Sequence, residues 1–292
     1  MRIAFIGLGH MGGHMAANLA AGGHEVTGFD PVAELREAAA AKGVSVAESA
    51  VAAVEGAEVV VTSLPNGHVL LSVYDEVLPA ATAGTLFIDT STTGAELAWQ
   101  AAEKVDAAGH RFIDAPVSGG VVGAEAGTLT FMVGGSDEDV AAAQPVLEPM
   151  AGKVVHCGKS GNGQAAKLCN NLLLAITQVG VAEAFVLGEQ LGLTHQAFYD
   201  VASTSAAQCW ALKTNCPVPG PVPASPANRD YEGGFATSLM HKDLTLAMAE
   251  VDRAGMDAQV GKLVADLYAR LSETEHAGHD FSSIITTLRD DA

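Results

Sequence analysis

The 292-residue sequence predicts an α/β chain in two parts, an N-terminal doubly wound sheet followed by an all-α C-terminal domain. Three observations predict it. Up to about residue 135, short apolar runs alternate with alanine-rich amphipathic stretches, the pattern of parallel strands joined by crossover helices. A glycine-rich turn separates the first apolar run from the first amphipathic stretch. After the SGNG of residues 160–163, the chain becomes nearly continuous helix former. The expected domains are residues 1–162, the doubly wound sheet, and residues 163–292, the helical part.

The expected strands, in order, are IAFIG, EVTGFD, VVVTSLP, LFIDTS, FIDAPV and TLTFMVGG. Between them, HMAANLAAGG and VAELREAAAAKG carry apolar residues at helical spacing and end at glycines, as crossover helices do. The segment DAPVSGGVVGAEAGTLTFMVGG has two strand-like runs split by small residues, which predicts a hairpin-like extension at the sheet edge. Residues 164–192 predict one long helix, roughly 40 Å at 1.5 Å per residue. Its apolar residues fall on most faces, so it belongs between other helices or against a second subunit. The prolines of CPVPGPVPASP, residues 216–226, predict an extended polyproline-like loop, either a connector or a cover for the site. Further helices are expected around residues 240–254 and 258–273.

The composition narrows the partners. A hydrophobic content of 49% is enough for a sizeable core, and a net charge of -19 disfavours nucleic acid and anionic membranes as partners. Cys157, Cys169, Cys209 and Cys216 form no CxxC pair and have no histidine at zinc-ligand spacing, so reduced thiols and no metal are expected. The opening apolar run is too short for a signal peptide. Polar residues interrupt the stretch 168–182, which falls short of the ~20 apolar residues of a membrane span. A cytoplasmic location is the expectation.

Gly7, Gly9 and Gly12 form GxGxxG directly after a strand and at the start of a helix. The first glycine permits the tight turn, the second lets a pyrophosphate approach the backbone, and the third lets helix and strand pack closely. With Leu8, His10 and Met11 between them, they make the expected dinucleotide turn. Asp30 ends the next strand, where a carboxylate accepts from ribose hydroxyls and repels a 2′-phosphate, favouring NAD over NADP. Leu64 and Pro65 in LPN, and Thr92 in STT, follow predicted strands at the ends where open parallel sheets place ligands. Each also reads as an ordinary loop turn.

Ser118, Gly119 and Gly120 follow the strand FIDAPV and can form a concavity of N–H donors suited to a carboxylate, or a plain tight turn. Lys167 and Asn171 lie four residues apart, on one face at the start of the long helix. Lys167 opens an apolar run, where partial desolvation favours the neutral amine of a proton acceptor, although a lysine there also reads as a snorkelling surface residue. Lys242, beside Asp243, is a second basic candidate or one half of a solvated ion pair.

Together GLGHMGGHMAANL, DAPVSGGVVGAEAGTLTFMVGG and GNGQAAKLCNN resemble the cofactor, substrate and catalytic segments of the β-hydroxyacid dehydrogenase family. Within it, QCWALKTNCPVPGPVPASPANRDYEGGFATSLMHKDLTLA is similar to the corresponding stretch of 3-hydroxyisobutyrate dehydrogenases. The resemblance implies that Lys167 is the catalytic acid/base. It also implies that Asn171, Ser118, Gly119, Gly120 and Gly123 hold the substrate, and that Thr92 and Lys242 contact the cofactor. Val69 departs from the polar residue common in the family, so no cofactor role is carried onto it. The implied reaction is NAD-dependent oxidation of (S)-3-hydroxyisobutyrate to methylmalonate semialdehyde, in valine breakdown, by a homodimer or homotetramer. The alternatives are a reductase of tartronate or succinic semialdehyde, and a protein that senses NAD without turnover.

Overall fold

A computed structural model describes residues 1–290, and the last two residues of the expected 163–292 domain lie outside them. The chain divides into two compact units, Met1–Lys167 and a second from Leu168 onward. The sheet contains β1 (Arg2–Ile6), β2 (Glu25–Phe29), β3 (Ser45–Val46), β4 (Val59–Thr62), β5 (Leu86–Asp89), β6 (Arg111–Asp114), β7 (Val117–Ser118), β8 (Leu129–Gly134) and β9 (Ala151–Gly158). The helices of the first unit are α1 (Gly12–Ala21), α2 (Ala33–Ala40), α3 (Ala50–Val54), α4 (Gly67–Val77), α5 (Ala95–Ala107), α6 (Gly120–Ala126) and α7 (Asp137–Leu147). The long helix α8 (Asn162–Gln190) begins in this unit.

Strand order runs β3-β2-β1-β4-β5-β6-β8-β7, with β9 paired to β8. The first six strands are mutually parallel, so the residues after their C-terminal ends gather along one edge of the sheet. The order reverses between β1 and β4, the point at which a doubly wound sheet opens a crevice for a ligand. Side chains alternate as the pleat requires. Ile3, Phe5, Val59, Val61, Leu86 and Ile88 enter one buried layer with Met15 and Leu19 of α1. Ala4, Ile6, Val60 and Phe87 enter the other, with Leu70 and Tyr74 of α4.

The expected hairpin is replaced by a strand–helix–strand unit. β7 and β8 pair antiparallel, but the small residues between them form α6. Gly119, with φ of 136°, starts that helix, and Gly127, with φ of 65°, ends it. β3 and β9 were not among the expected strands. β9 forms an edge of the sheet, with register irregularities against β8 at two points.

The second unit holds most of α8 with α9 (His195–Ala202), α10 (Trp210–Lys213), α11 (Thr237–Arg253), α12 (Gln259–Ser272) and α13 (Ile284–Asp290). α8 runs unbroken through Asn170, Asn171, Thr177 and Gln178, so by length and composition it is apolar enough to cross a bilayer, contrary to expectation. Its Ala175, Val179, Ala182, Phe185 and Val186 instead enter a buried cluster with Met240, Leu244, Val264 and Tyr268. The proline-rich segment also departs from expectation, because it folds back on itself. Ser225 Oγ donates to the Cys216 carbonyl, Asn228 Nδ2 to that of Val222 (2.8 Å) and the Tyr231 hydroxyl to that of Pro217 (3.0 Å).

Candidate active site

The glycine turn after β1 is built by exclusion of side chains. Gly7 has φ of 95°, and a Cβ there would lie 2.2 Å from the Ser63 carbonyl oxygen beyond β4. A Cβ on Gly12 would lie 1.9 Å from the Gly7 oxygen, so α1 meets the turn backbone to backbone. Gly9 differs: a Cβ there would touch nothing within 4 Å. The open cradle lies at the glycine where a pyrophosphate approaches. Met11, at the N-cap of α1, makes no side-chain cap bond, which leaves the positive end of the helix dipole available to an anion. His10 is exposed beside it, while Leu8 is buried.

Asp30 is 7% exposed, and its two carboxylate oxygens accept from the backbone N–H groups of Leu8 (2.8 Å) and Val32 (2.9 Å). A carboxylate has about four acceptor sites, so ribose hydroxyls can still be accommodated. Arg36 braces the turn by donating to the Asp30 carbonyl (2.6 Å) and lies over the Phe29 ring, 5.9 Å from its centroid. These features fit a dinucleotide.

Two further loops end on the same sheet edge. The Leu64 N–H, next to Pro65, donates to Ser91 Oγ (2.8 Å), which joins the loop after β4 to the loop after β5. Thr92 in that second loop is half-buried. Ser91 Oγ in turn donates to Asp89 Oδ1 (2.6 Å). Asp89 is wholly buried, and burial pushes its carboxyl up to about 7. Beyond β6, Ser118 is half-buried, Gly119 and Gly120 are exposed, and Gly123 is buried in α6 against Leu129.

Lys167 lies in the second turn of α8 and is 7% exposed. Asn171 follows one turn later on the same face, 2% exposed. In the second unit, Asn171 Nδ2 donates to Asp243 Oδ2 at 2.5 Å, and Lys242 Nζ is 3.7 Å from Asp243 Oδ1. Asp243 is 3% exposed. The pairing with Lys242 is therefore not the solvated ion pair that the sequence also allowed, because its acid is buried and holds a polar side chain of another helix.

A family model described as the NAD binding domain of 6-phosphogluconate dehydrogenase matches residues 2–158. A second, described as NAD-binding of NADP-dependent 3-hydroxyisobutyrate dehydrogenase, matches residues 161–288. A solved 3-hydroxyisobutyrate dehydrogenase of Mycobacterium tuberculosis, with L-serine, superposes with a TM-score of 0.95 at 53% identity, covering 98% of each chain. A 3-hydroxyisobutyrate dehydrogenase of Pseudomonas aeruginosa is 46% identical over 97% of this chain and 96% of its own length. The chain belongs to the 3-hydroxyisobutyrate dehydrogenase family. An NAD-dependent L-serine dehydrogenase of Pseudomonas aeruginosa is also similar, 42% identical over 97% of this chain and 96% of its own.

As a member of the 3-hydroxyisobutyrate dehydrogenase family, the protein is an oxidoreductase with NAD as cofactor. Sequence reasoning did not single out Asp243 as the partner of Asn171. A signal was present, since Met240, Asp243, Leu244 and Ala247 share a helical stripe that is otherwise apolar and buried. Asp114 and Gln164 were also passed over. Asp114 reads as the polar end of a strand and Gln164 as a helix former, and nothing local distinguishes either.

Proposed function

We propose that this enzyme oxidises (S)-3-hydroxyisobutyrate to methylmalonate semialdehyde with NAD, and that Lys167 is its general acid/base. The observation that carries the reading is the pair of buried polar side chains, Lys167 and Asn171, on one face of α8. Lys167 Nζ accepts the substrate hydroxyl proton as the carbinol carbon is oxidised. Bound NAD supplies the hydride acceptor at its nicotinamide. Asn171 holds the substrate oxygen, and its own orientation is fixed by Asp243. Ser118, Gly119, Gly120 and Gly123 take the carboxylate, which turns binding into orientation of the reacting carbon. Gly7, Leu8, Gly9, His10, Met11, Gly12, Asp30, Leu64, Pro65, Thr92 and Lys242 hold the cofactor. Asp30 favours NAD over NADP by repelling a 2′-phosphate.

In this reading residues 1–162 serve the cofactor and residues 163–292 the substrate and assembly of a homodimer or homotetramer. The place of action is the cytoplasm and the role is in valine breakdown, with neither nucleic acid nor membrane as partner. A second reading, oxidation of L-serine, is favoured by the similar L-serine dehydrogenase and by the L-serine in the Mycobacterium tuberculosis structure. L-Serine is also a β-hydroxy acid, and the same lysine and carboxylate turn would suit it.

The test is a steady-state panel of 3-hydroxyisobutyrate, L-serine and the tartronate and succinic semialdehydes with NAD(H) and NADP(H). The highest kcat/KM is expected for (S)-3-hydroxyisobutyrate with NAD. A hundredfold or greater preference for L-serine, a semialdehyde or NADP would overturn the corresponding part of the proposal, and tight NADH binding without turnover would indicate a sensor. Lys167→Ala should lower kcat by about 10²–10⁴-fold while NADH affinity persists. Near-normal kcat in that variant would remove Lys167 from the mechanism.

A further inference from the structure

Gln164 is fully buried one turn before Lys167, yet its side chain makes no bond along its own helix. Its Oε1 accepts from the backbone N–H groups of Thr93 (3.0 Å) and Gly94 (3.3 Å). Its Nε2 donates to the Ser91 carbonyl (2.8 Å). Gln164 thus grips loop 91–94 on either side of Thr92. Through Ser91, whose hydroxyl accepts from Leu64 N–H, it also reaches the loop after β4.

The backbone of Gln164 is held just as firmly. Asp114 at the end of β6 accepts from Gly161 N–H (2.6 Å) through Oδ1 and from Gln164 N–H (2.9 Å) through Oδ2. Gly161 itself has φ of 88°, and a Cβ there would lie 2.1 Å from Trp99 Nε1, whose N–H donates to the Ser160 carbonyl at 2.8 Å. The start of α8 therefore has little freedom to shift or rotate. Burying an amide costs least when its polar atoms find partners, and here both Oε1 and Nε2 of Gln164 do.

We propose that Gln164 is a positioning residue that ties the cofactor-contacting loop 91–94 to the first turns of the helix bearing Lys167, setting the base in fixed register with the cofactor. The proposal rests on the roles given above to Thr92 and Lys167. Placement of a base to within a fraction of an ångström governs turnover, because a misplacement of 1 Å can cost about 10²-fold in rate. One amide side chain supplies that constraint.

The test uses Gln164→Leu in the full-length enzyme, with Gln178→Leu as control. Gln178 is equally buried on α8, and its Nε2 donates to the Asn215 carbonyl (3.4 Å). The expected result for Gln164→Leu is a native circular-dichroism spectrum, kcat lowered about 10- to 100-fold, NADH affinity weakened several-fold and KM for the hydroxy acid nearly unchanged. Gln178→Leu should keep kcat and NADH affinity. A Gln164→Leu protein that melts earlier but keeps both overturns the proposal, because Gln164 then only stabilises the fold.

Hydrogen exchange on the wild-type enzyme decides the matter even if the variant fails to fold. NADH should slow exchange in residues 7–12, 91–94 and 161–167 together. Slowing at 7–12 and 91–94 with none at 161–167 overturns the coupling alone. Absence of slowing at 7–12 as well removes the cofactor assignment, and the proposal with it.

Discussion

At the residue scale, buried carboxyls give this protein a pH dependence of definite sign. Asp89 is wholly buried, and its Oδ2 has no hydrogen-bond partner among the described residues. Desolvation raises its pKa from 3.8 to about 7, against the lowering effect of hydrogen bonds from Ser91 and Thr62. Asp114 is raised to about 6, again by desolvation first, against the backbone N–H groups that it caps. Because the folded pKa lies above the unfolded one, the folded state binds more protons in between, and this stability is lost as pH rises from about 4 to about 7. Asp89→Asn removes that dependence, so its melting temperature relative to wild type should rise between pH 4 and pH 8. A constant difference across that range would show that Asp89 does not titrate there. Asp243 is the other residue to probe. Asp243→Ala strands the Asn171 amide in a buried place, which costs about 1–3 kcal/mol of stability and, through Asn171, lowers kcat/KM. Melting curves and steady-state rates on one preparation check both. Asp30 at a strand end and Lys167 near a helix start were legible as candidates, the catalytic role of Lys167 only through the family resemblance. Asp243 and Gln164 were not, because their meaning depends on partners 72 and about 70 residues away.

At the element scale, the three glycines of the first turn separate into different kinds. Gly12→Ala would drive a methyl into the Gly7 carbonyl, and that contact is backbone to backbone, so strand and helix must part. The expected outcome is poor folding and loss of a cooperative melt. Gly9→Ala meets open space, so the fold should survive with its melting temperature nearly intact. NADH affinity should nonetheless weaken by about tenfold or more, ~1.4 kcal/mol, because the methyl occupies the approach of the pyrophosphate. Calorimetry with and without NADH separates the two. The central parallel strands β1, β4, β5 and β6 were legible because each is a short, mainly apolar run buried along most of its length, the signature of a strand covered by helices. β9 was missed because AGKVVHCG is an edge strand with Lys153 and His156 in it and no fully buried position. α6 falls inside the expected hairpin because Gly120, Val121, Val122 and Gly123 have low helix propensity, and seven residues are too few for periodicity to outweigh that. The proline-rich loop was read as extended because φ is fixed by proline, but Ser225, Asn228 and Tyr231 bend the chain between the prolines.

At the scale of the whole molecule, the two-part organisation was visible in the change from alternating runs to helix formers, and the strand order was not, because nothing in a strand names its neighbour. The surface of the second unit carries apolar side chains that water does not favour. Leu173 and Leu187 on α8 and Leu191 just after it are 62%, 57% and 71% exposed, and Val260 and Leu263 on α12 are 57% and 60% exposed. Exposed apolar residues repeated along helices mark surfaces that bury on association. Sedimentation should therefore give a dimer or tetramer, and charged residues at Leu187 and Leu191 together should shift the mass toward the monomer. If the wild-type protein is monomeric at micromolar concentration, those leucines have another purpose. The ends of the sheet point the same way. β3 is two residues long, and β9, at the other end, is irregular in register and bears Lys153. An edge that is short, or kinked and charged, is a poor template for the strand of a neighbouring molecule. A nascent or partly unfolded chain that exposes these borders therefore gives a stranger little to extend, so crowding and heat are less able to convert this sheet into fibrous aggregate.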